Sequence, residues 1–206
     1  MFGKFITIEG GEGAGKSSIM TRVADWISQA GHQVIRTREP GGTVLAEKLR
    51  DILLDQNNLA LCGQAELLLM FAARAQHLEE LIRPKLKRGD WVLCDRFTDA
   101  TWAYQGGGRG LPRENIAVLE KLVHGDLQPD LTLLLDLPVE QGLQRAYQRS
   151  QADRFEQESV AFFERVREAY LDRAQAAPER FAVIDASKEI EDVWSQIRRV
   201  LRENLG

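Results

Sequence analysis

A glycine-rich segment near the start of the chain carries the clearest chemical signal in the sequence. It reads Gly10-Gly11-Glu12-Gly13-Ala14-Gly15-Lys16-Ser17, a full match to the pattern G-x-x-x-x-G-K-[ST]. In such a phosphate-binding loop (P-loop), glycines let successive backbone N–H groups face a polyphosphate, the lysine neutralises the outer phosphates, and the serine hydroxyl can bind Mg²⁺. A plain glycine-rich turn is the alternative, but an apolar run precedes the segment and a helical pattern follows it. We therefore predict a nucleotide site here.

A charged pair follows another apolar run in the middle of the chain. The run Trp91–Cys94 is typical of a buried strand, and Asp95 and Arg96 come directly after it. In an open parallel sheet, ligands bind outside the carboxyl ends of the strands, which is where both side chains would project. Asp95 could then hold Mg²⁺ through water, together with Ser17, and Arg96 could bind a phosphate through two parallel hydrogen bonds. The alternative is an exposed surface ion pair.

Two further stretches have the composition of a site for a nucleobase. Phe71 and Arg74 are three residues apart and share a helix face, so a ring could stack on a base while a guanidinium donates to its carbonyl oxygen. By pattern alone, Phe71 is more often a core residue and Arg74 a solvated charge. The stretch Thr101–Gly110 combines aromatic and hydrogen-bonding side chains with a run of glycines. Its simplest interpretation is a long surface loop.

The elements that must position these residues follow from the spacing of the apolar residues. Five short apolar runs predict strands at Phe5–Ile8, Gln33–Ile35, Trp91–Cys94, Leu131–Leu135 and Phe181–Ile184. Such runs are typical of parallel strands that helices cover on both faces. Helical periodicity separates them, with Pro84 bending or ending one long helix and Pro112 in the first turn of another. The alternation predicts an α/β fold: a three-layer sandwich with a five-stranded parallel sheet, of the P-loop NTPase type.

The composition of the 206-residue chain predicts one globular domain over residues 1–206. With 44% hydrophobic residues and a net charge of −4, the chain is too apolar for disorder and lacks the basic footprint of a nucleic-acid-binding protein. Its two cysteines cannot build a disulfide framework or a four-ligand zinc site. The sequence shows neither a secretory signal nor an apolar run of about 18 residues, so we expect a cytoplasmic location and no membrane partner.

Taken in order, these motifs make the chain resemble the thymidylate kinase family, in its bacterial type. The matching residues are Gly10–Ser17, Arg38-Glu39-Pro40-Gly41, Phe71 with Arg74, Asp95-Arg96-Phe97, Ala103-Tyr104-Gln105-Gly106, and Arg149 with Arg154. The resemblance extends over nearly the whole chain. One departure follows Asp-Arg-Phe, where the family usually has a serine and this chain has Ala100 and then Thr101. We therefore assign the hydroxyl that contacts the base to Thr101.

The resemblance implies a binding role for each motif. Residues 10–17 would hold the phosphates of ATP, and Arg38 and Arg96 would hold the phosphate of dTMP. Tyr104 would lie beside the deoxyribose, where its ring could obstruct a 2′-hydroxyl. The thymine would contact Phe71, Arg74, Thr101 and Gln105.

Three further expectations come from the same resemblance. Glu12 would approach the 3′-hydroxyl or the monophosphate of dTMP, since a carboxylate among phosphate-binding N–H groups otherwise repels the ligand. The adenine of ATP would lie against Asp185-Ala186-Ser187, after the last strand. The chain would form a homodimer, for which the apolar stripe Leu67-Leu68-Leu69-Met70 offers candidate surface.

The polar segment from Gln141 to Glu158 should form a lid over the phosphates. It carries Arg145, Arg149 and Arg154, although a polar helical connection is the alternative. Phosphoryl transfer develops negative charge on the transferred group, and mobile arginines that close over it are a recurrent solution. We favour Arg149 as the catalytic arm, because pairing with Asp153 or Glu158 could make Arg154 a hinge support instead.

The expected reaction is ATP + dTMP → ADP + dTDP, by in-line transfer without a covalent enzyme intermediate. The substrate phosphate is already a nucleophile, so catalysis needs positioning and charge neutralisation rather than a strong base. Mg²⁺ is the expected cofactor, and the expected catalytic residues are Lys16, Arg96, Arg149, Arg154 and Glu12. A kinase for another nucleotide or nucleoside and a non-catalytic nucleotide-binding module are the alternatives. A GTPase is disfavoured because the sequence has no N-K-x-D tetrad.

Overall fold

The computed structural model describes residues 2–57, 61–147, 154–155 and 157–205, and these residues contain one sheet of five parallel strands. The strands are β1 (Phe5–Gly10), β2 (Val34–Arg38), β3 (Trp91–Asp95), β4 (Leu131–Asp136) and β5 (Phe181–Asp185). Their order across the sheet is β2-β3-β1-β4-β5. The predicted α/β fold with a five-stranded parallel sheet is confirmed.

Helices separate the strands along the chain. They are α1 (Lys16–Gln29), α2 (Val44–Leu54), α3 (Gly63–His77), α4 (Arg83–Arg88), α5 (Thr98–Thr101), α6 (Arg113–His124), α7 (Val139–Tyr147), α8 (Val160–Ala176) and α9 (Ile190–Leu205). Two π-helical segments join this set, π1 (Leu78–Ile82) and π2 (Trp102–Gly108). No helix among the described residues is both long enough and apolar enough to cross a bilayer.

The core lies on both faces of the sheet. Alternate strand residues such as Ile6 and Ile8 pack against α1 and α9, whereas Phe5 packs against π1, α4 and Phe97. Each fully buried side chain of this size contributes about 1.5–3 kcal/mol to stability. The expectation that helices cover every strand on both faces holds for β1, β3 and β4 but not for the edge strands, since Val183 of β5 is half exposed.

The register brings the carboxyl ends of the strands to one edge of the sheet. Ile8 is level with Asp95 of β3, and Asp95 is level with Arg38 of β2. On the other side of β1, Gly10 is level with Leu135 of β4. The P-loop, Asp95 and the segment after Arg38 therefore meet at one edge, as the topology rule for parallel sheets requires.

Two segments differ from the sequence-based expectations. The helix that begins at Gly63 passes through π1 into α4, and Pro84 lies in the first turn of α4, where a missing N–H costs little. Pro112 is the N-cap of α6 rather than a residue of its first turn. The stretch after Thr101 is not a surface loop: Ala103 and Gln105 are buried in π2, which packs along α8.

Candidate functional site

A cavity of about 300 Å³ opens at the carboxyl edge of the sheet. Its walls come from the P-loop, the turn after β2, helices α2, α3 and α7, the turn after β3, and π2. The predicted residues that line it are Glu12, Gly13, Ala14, Gly15, Lys16, Ser17, Arg74, Asp95, Arg96, Thr101, Tyr104 and Gln105. The sequence-based clusters from four separate segments are therefore brought together in one place.

The P-loop owes its shape to glycines with left-handed backbone. Gly13 has φ +68°, and a Cβ there would lie 1.9 Å from the carbonyl oxygen of Gly142 in α7. Gly15 has φ +87° and caps α1 without a side chain, so the first N–H groups of the helix face the cavity without a capping group. This geometry leaves backbone donors available to an anion.

The Lys16 ammonium folds back on the loop. Its Nζ donates to the carbonyl oxygens of Gly10, at 3.0 Å, and Gly11, at 2.8 Å. Burial and the neighbouring Arg96 lower the pKa of Lys16. These carbonyl groups are neutral and neutralise the ammonium charge only in part, whereas a bound polyphosphate would be a full anionic partner. Because the ammonium lies on the loop itself, it is close to where the motif predicts the phosphates.

Glu12 and Arg96 form the centre of the cavity. The Arg96 guanidinium donates to Glu12 Oε1 at 2.6 Å, and the Tyr104 hydroxyl donates to the same oxygen at 2.8 Å. The guanidinium also lies 4.7 Å from the centre of the Tyr104 ring. Burial opposes ionisation of Glu12, but Arg96 and Lys16 outweigh it and lower its pKa to about 2. The ionised Glu12 thus fixes the orientation of Arg96.

Asp95 has the properties of a metal-site residue. It ends β3 and lines the cavity with Ser17, which lies in the first turn of α1. Its Oδ1 is buried and has no hydrogen-bond partner among the described residues. A carboxylate oxygen and a hydroxyl are ligands that suit Mg²⁺. The two residues therefore fit the metal that the sequence predicts.

Arg74 is held by a buried network. Its Nε donates to Glu39 at 2.6 Å, and its NH2 group donates to Thr101 Oγ1 at 3.0 Å and to the Phe97 carbonyl at 3.2 Å. Glu39 is held in turn by His77 Nδ1 at 3.0 Å. The third nitrogen of Arg74, NH1, is buried and has no partner among the described residues. The sequence analysis assigned no role to Glu39 or His77.

Two predicted dTMP contacts lie outside the cavity lining. Phe71 is 2% exposed and packs against Leu67 and Ile116, with the Arg74 guanidinium 4.8 Å from its ring centre. Its neighbour Met70 lines the cavity instead. Met70 and Arg74 are four residues apart and so share a helix face, which makes Met70 a candidate by spacing. A methionine side chain, however, gives no sequence signal for base binding.

Arg38 is the second predicted dTMP contact that lies outside the cavity lining. It is half exposed and donates to Glu47 at 2.8 Å. Arg50 of α2 lines the cavity and donates to the Pro40 carbonyl oxygen at 2.8 Å. The sequence analysis did not identify Arg50, because it lies within an ordinary amphipathic helix.

The arginines of the predicted lid occupy different surroundings. Arg145 donates to the carbonyl oxygens of Ala186, at 2.9 Å, and Ser187, at 3.3 Å, which places α7 against the expected adenine segment. Arg154 is buried and donates to the Leu53 carbonyl at 2.9 Å and to Glu66 at 2.7 Å, rather than to Glu158. Arg149 and Asp153 lie outside the described residues.

Glu9 is a buried carboxyl group that the sequence analysis did not single out. It accepts from the Phe97 backbone N–H at 2.7 Å and from the Tyr170 hydroxyl at 2.8 Å. Burial, with repulsion from Asp99, raises the pKa of Glu9 to about 8. The bond to Phe97 supports a turn in which Arg96 has φ +67°, a strained value for a residue with a side chain.

Comparisons with known proteins point to one family. A family model described as thymidylate kinase matches residues 8–197. A thymidylate kinase from Pseudomonas putida is 59% identical over 201 residues, which cover 98% of this chain and 96% of that protein. One from Chromohalobacter salexigens is 60% identical over 206 residues, covering 99% and 97%. The crystal structure of a thymidylate kinase from Ehrlichia chaffeensis is similar with a TM-score of 0.80 and 33% identity, over 98% of this chain and 99% of that one.

Proposed function

The chain belongs to the thymidylate kinase family and catalyses ATP-dependent phosphorylation of dTMP in dTTP biosynthesis, and we propose that the cavity at the carboxyl edge of the sheet is where both nucleotides bind. The observation that carries this assignment is the buried Arg74 NH1 group, which has no partner among the described residues. A buried unpaired guanidinium nitrogen is costly, and a carbonyl oxygen of a base would satisfy it. The family match makes that base thymine.

The donor half of the cavity binds ATP. Residues 10–17 direct backbone N–H groups and Lys16 at its phosphates. The adenine lies against residues 185–187, whose carbonyl groups are held by Arg145 and Gln141 of α7. This contact gives α7 a defined position next to the P-loop. Gly13 of the P-loop and Gly142 of α7 lie so close together that neither position leaves room for a side chain.

The acceptor half binds dTMP. Arg96, oriented by Glu12, binds its phosphate, and Arg38 remains a second predicted contact for that group. Arg74, Thr101 and Gln105 bind the thymine, and the Tyr104 ring lies beside the sugar. We keep Phe71 as a packing partner of Arg74 and assign direct contact with the base to Met70, which lines the cavity.

Catalysis consists of positioning and charge neutralisation. Lys16 and Arg96 approach the transferred group from opposite halves of the cavity, and Arg149 adds a cation from the lid. Ser17 and Asp95 would hold Mg²⁺, which would neutralise phosphate charge when bound. Arg154, paired with Glu66, supports the base of the lid in this arrangement, and its catalytic role stays a prediction. We further propose that residues 1–206 form one kinase domain and that the segment at about 141–158 is its lid.

An assay of ADP release across acceptors tests the proposal. We expect turnover with ATP and dTMP, reduced turnover with dUMP, and little with dCMP, AMP or thymidine. Binding of ATP without ADP release on addition of dTMP would contradict the assignment. Chelation of divalent cations should abolish turnover, and addition of Mg²⁺ should restore it.

We also propose that the chain forms a homodimer in the cytoplasm. Helices α2, α3 and α6 pack side by side and carry exposed apolar side chains, among them Leu45, Leu68, Val118 and Leu122. Within the stripe named from the sequence, Leu68 is exposed whereas Leu67 is buried. Light scattering should give the mass of two chains, and a Leu68→Lys, Leu122→Lys variant should give the mass of one.

A further inference from the structure

Glu66 of α3 is a buried carboxylate that the proposed function uses only as the partner of Arg154. It has no exposed surface, yet three side chains from different segments donate to it. Gln105 Nε2 of π2 lies 2.7 Å from Oε1, Arg154 lies 2.7 Å from Oε2, and Arg109 lies 3.3 Å from Oε2. Arg109 is also paired with Glu158. Glu66 thus joins the base-binding segment π2 to the residues beside the lid.

The carboxylate fixes which way the Gln105 amide faces. Between two guanidinium groups, Glu66 is an acceptor only, so the Gln105 amide must present its nitrogen to it. The amide oxygen, Oε1, then points away from Glu66. Because Gln105 lines the cavity, this orientation offers the ligand a hydrogen-bond acceptor.

The acceptor on Gln105 complements the donor on Arg74. A uracil-type base presents a carbonyl oxygen beside an N3–H group, which together match one donor and one acceptor. Cytosine presents an amino group beside an unprotonated N3, so both contacts would be mismatched. Buried polar groups left unpaired in this way make a hydrogen-bonding site strongly selective.

We propose that Glu66 is a positioning residue for base specificity: by holding the Gln105 amide nitrogen, it makes the acceptor site select thymine and uracil over cytosine. This inference rests on the proposed function of the cavity. It assigns to Glu66 an effect on the choice of base rather than on phosphoryl transfer, because Glu66 itself does not line the cavity.

The test is the Glu66→Gln variant, whose amide can accept or donate and so no longer dictates the orientation of Gln105. We expect the ratio of kcat/KM for dTMP to that for dCMP to fall about tenfold, the equivalent of one hydrogen bond. The change should lie mainly in KM, and dUMP should follow dTMP because the two share the imide edge. An unchanged ratio would overturn the inference.

Two controls separate specificity from packing. Glu158→Gln removes a partner of Arg109 but leaves the bond between Glu66 and Gln105, so its ratio should equal that of the wild type. Gln105→Leu should lower the ratio, and adding Glu66→Gln to it should lower the ratio no further. A further fall in the double variant would show that Glu66 acts by packing.

A charge-balanced variant covers the case in which Glu66→Gln does not fold. In Glu66→Gln combined with Arg109→Gln, the lost carboxylate is matched by a lost guanidinium, and the same fall in the ratio is expected. A wild type that does not phosphorylate dTMP would contradict the proposed function. A wild type that does, with the ratio unchanged in a folded Glu66 variant, would contradict this inference alone.

Discussion

The two halves of the cavity are built in different ways. In the proposed assignment, the donor half is one continuous segment, residues 10–17, of which residues 12–17 line the cavity. Its donors are mostly backbone N–H groups, placed by the conformations of Gly13 and Gly15. The acceptor half is assembled from side chains on α3, the turn after β3, and π2. Each of its key groups is held by a carboxylate: Arg74 by the buried Glu39, Arg96 by the partly buried Glu12, and Gln105 by the buried Glu66.

This difference decides how each half responds to substitution. Backbone donors survive most side-chain changes, so the donor half depends on its glycines and on the single charge of Lys16. Buried ion pairs are costly when one partner is removed, because the other charge is left without compensation. Substitutions at many positions of the acceptor half should therefore weaken the binding of dTMP. In the donor half, the side chain whose removal should abolish catalysis is that of Lys16.

Lys16→Ala should have the largest effect and is the strictest test of the donor half. Removing a cation that neutralises developing phosphate charge should lower kcat by about 10²–10³-fold or more. The fold should survive, because the side-chain hydrogen bonds of Lys16 within the described part of the chain go to two loop carbonyl groups, those of Gly10 and Gly11. Steady-state kinetics and a thermal melt measure the two properties. Lys48→Ala, on the exposed side of α2, is the matched control and should leave kcat unchanged.

Arg74→Ala should come next and tests the acceptor half. The loss of a charge-assisted hydrogen bond to the base should raise KM for dTMP about ten- to a hundredfold, with a much smaller change for ATP. Substrate titrations at saturating partner nucleotide measure both constants. Equal rises for the two nucleotides would mean that Arg74 supports the cavity as a whole. The exposed Arg36→Ala variant should change neither constant.

The same contrast explains which parts of the site the sequence reveals. A P-loop is contiguous and its residue types are fixed by phosphate chemistry, so its position and its lysine can be predicted. Asp95 and Arg96 are found because strand ends locate the functional edge of a parallel sheet. The strands themselves are predicted to within a few residues, since buried parallel strands have continuous apolar runs.

The acceptor half is harder to predict because tertiary packing chooses among neighbouring residues. Phe71 and Met70 are both apolar and adjacent, and only the rotation of α3 decides that Met70 faces the cavity. Arg38 and Arg50 carry the same charge, but an ion pair with Glu47 holds Arg38 outside the cavity lining. The π-helix at Trp102–Gly108 resembles a loop in sequence, because its glycines serve close packing rather than turns.

Gly107→Ala should have an intermediate effect and tests whether that packing positions the acceptor half. A Cβ at residue 107 would lie 2.6 Å from the Ala169 Cβ and 2.7 Å from the Arg165 carbonyl oxygen of α8. Overpacking of this kind costs about 1–3 kcal/mol of stability. Because Gln105 is in the same π-helix, KM for dTMP should rise while KM for ATP holds.

Gly106→Ala is the matched control for this variant. Its Cβ would meet only the tip of the Ile116 side chain, at 3.1 Å, so a shift of a few tenths of an ångström would relieve the contact. We expect a stability close to that of the wild type, measured by thermal or urea unfolding. If both alanine variants lose the same stability, contact with α8 does not explain the effect of Gly107→Ala.

Glu9→Gln should have the smallest effect on catalysis and sharpens the contrast between the cavity and the core beneath it. Glu9 and Glu12 are three residues apart, yet the pKa of Glu9 is raised to about 8 and that of Glu12 is lowered to about 2. Glu9 faces Asp99, Tyr170 and the Phe97 N–H in a buried space, with the charge of Arg96 nearby. A glutamine there copies the neutral carboxyl group, whose oxygen can still accept from Phe97.

The sign of the pH dependence follows from the raised pKa. Above the ordinary glutamate pKa of 4.5 the unfolded chain releases the Glu9 proton, whereas the folded chain keeps it up to a pKa of about 8. This stabilising contribution is therefore lost as the pH rises between those values. The stability of Glu9→Gln relative to the wild type should therefore rise by about 4 kcal/mol from pH 5 to pH 8.5, because each pH unit in this window is worth about 1.4 kcal/mol. Thermal melts at the two pH values measure this change. Glu12→Gln should show a constant difference over that range, because the Glu12 carboxyl group is ionised in both states throughout it. A constant difference for Glu9→Gln as well would mean that Glu9 is ionised in the folded protein, held by Tyr170 and Phe97 despite its burial.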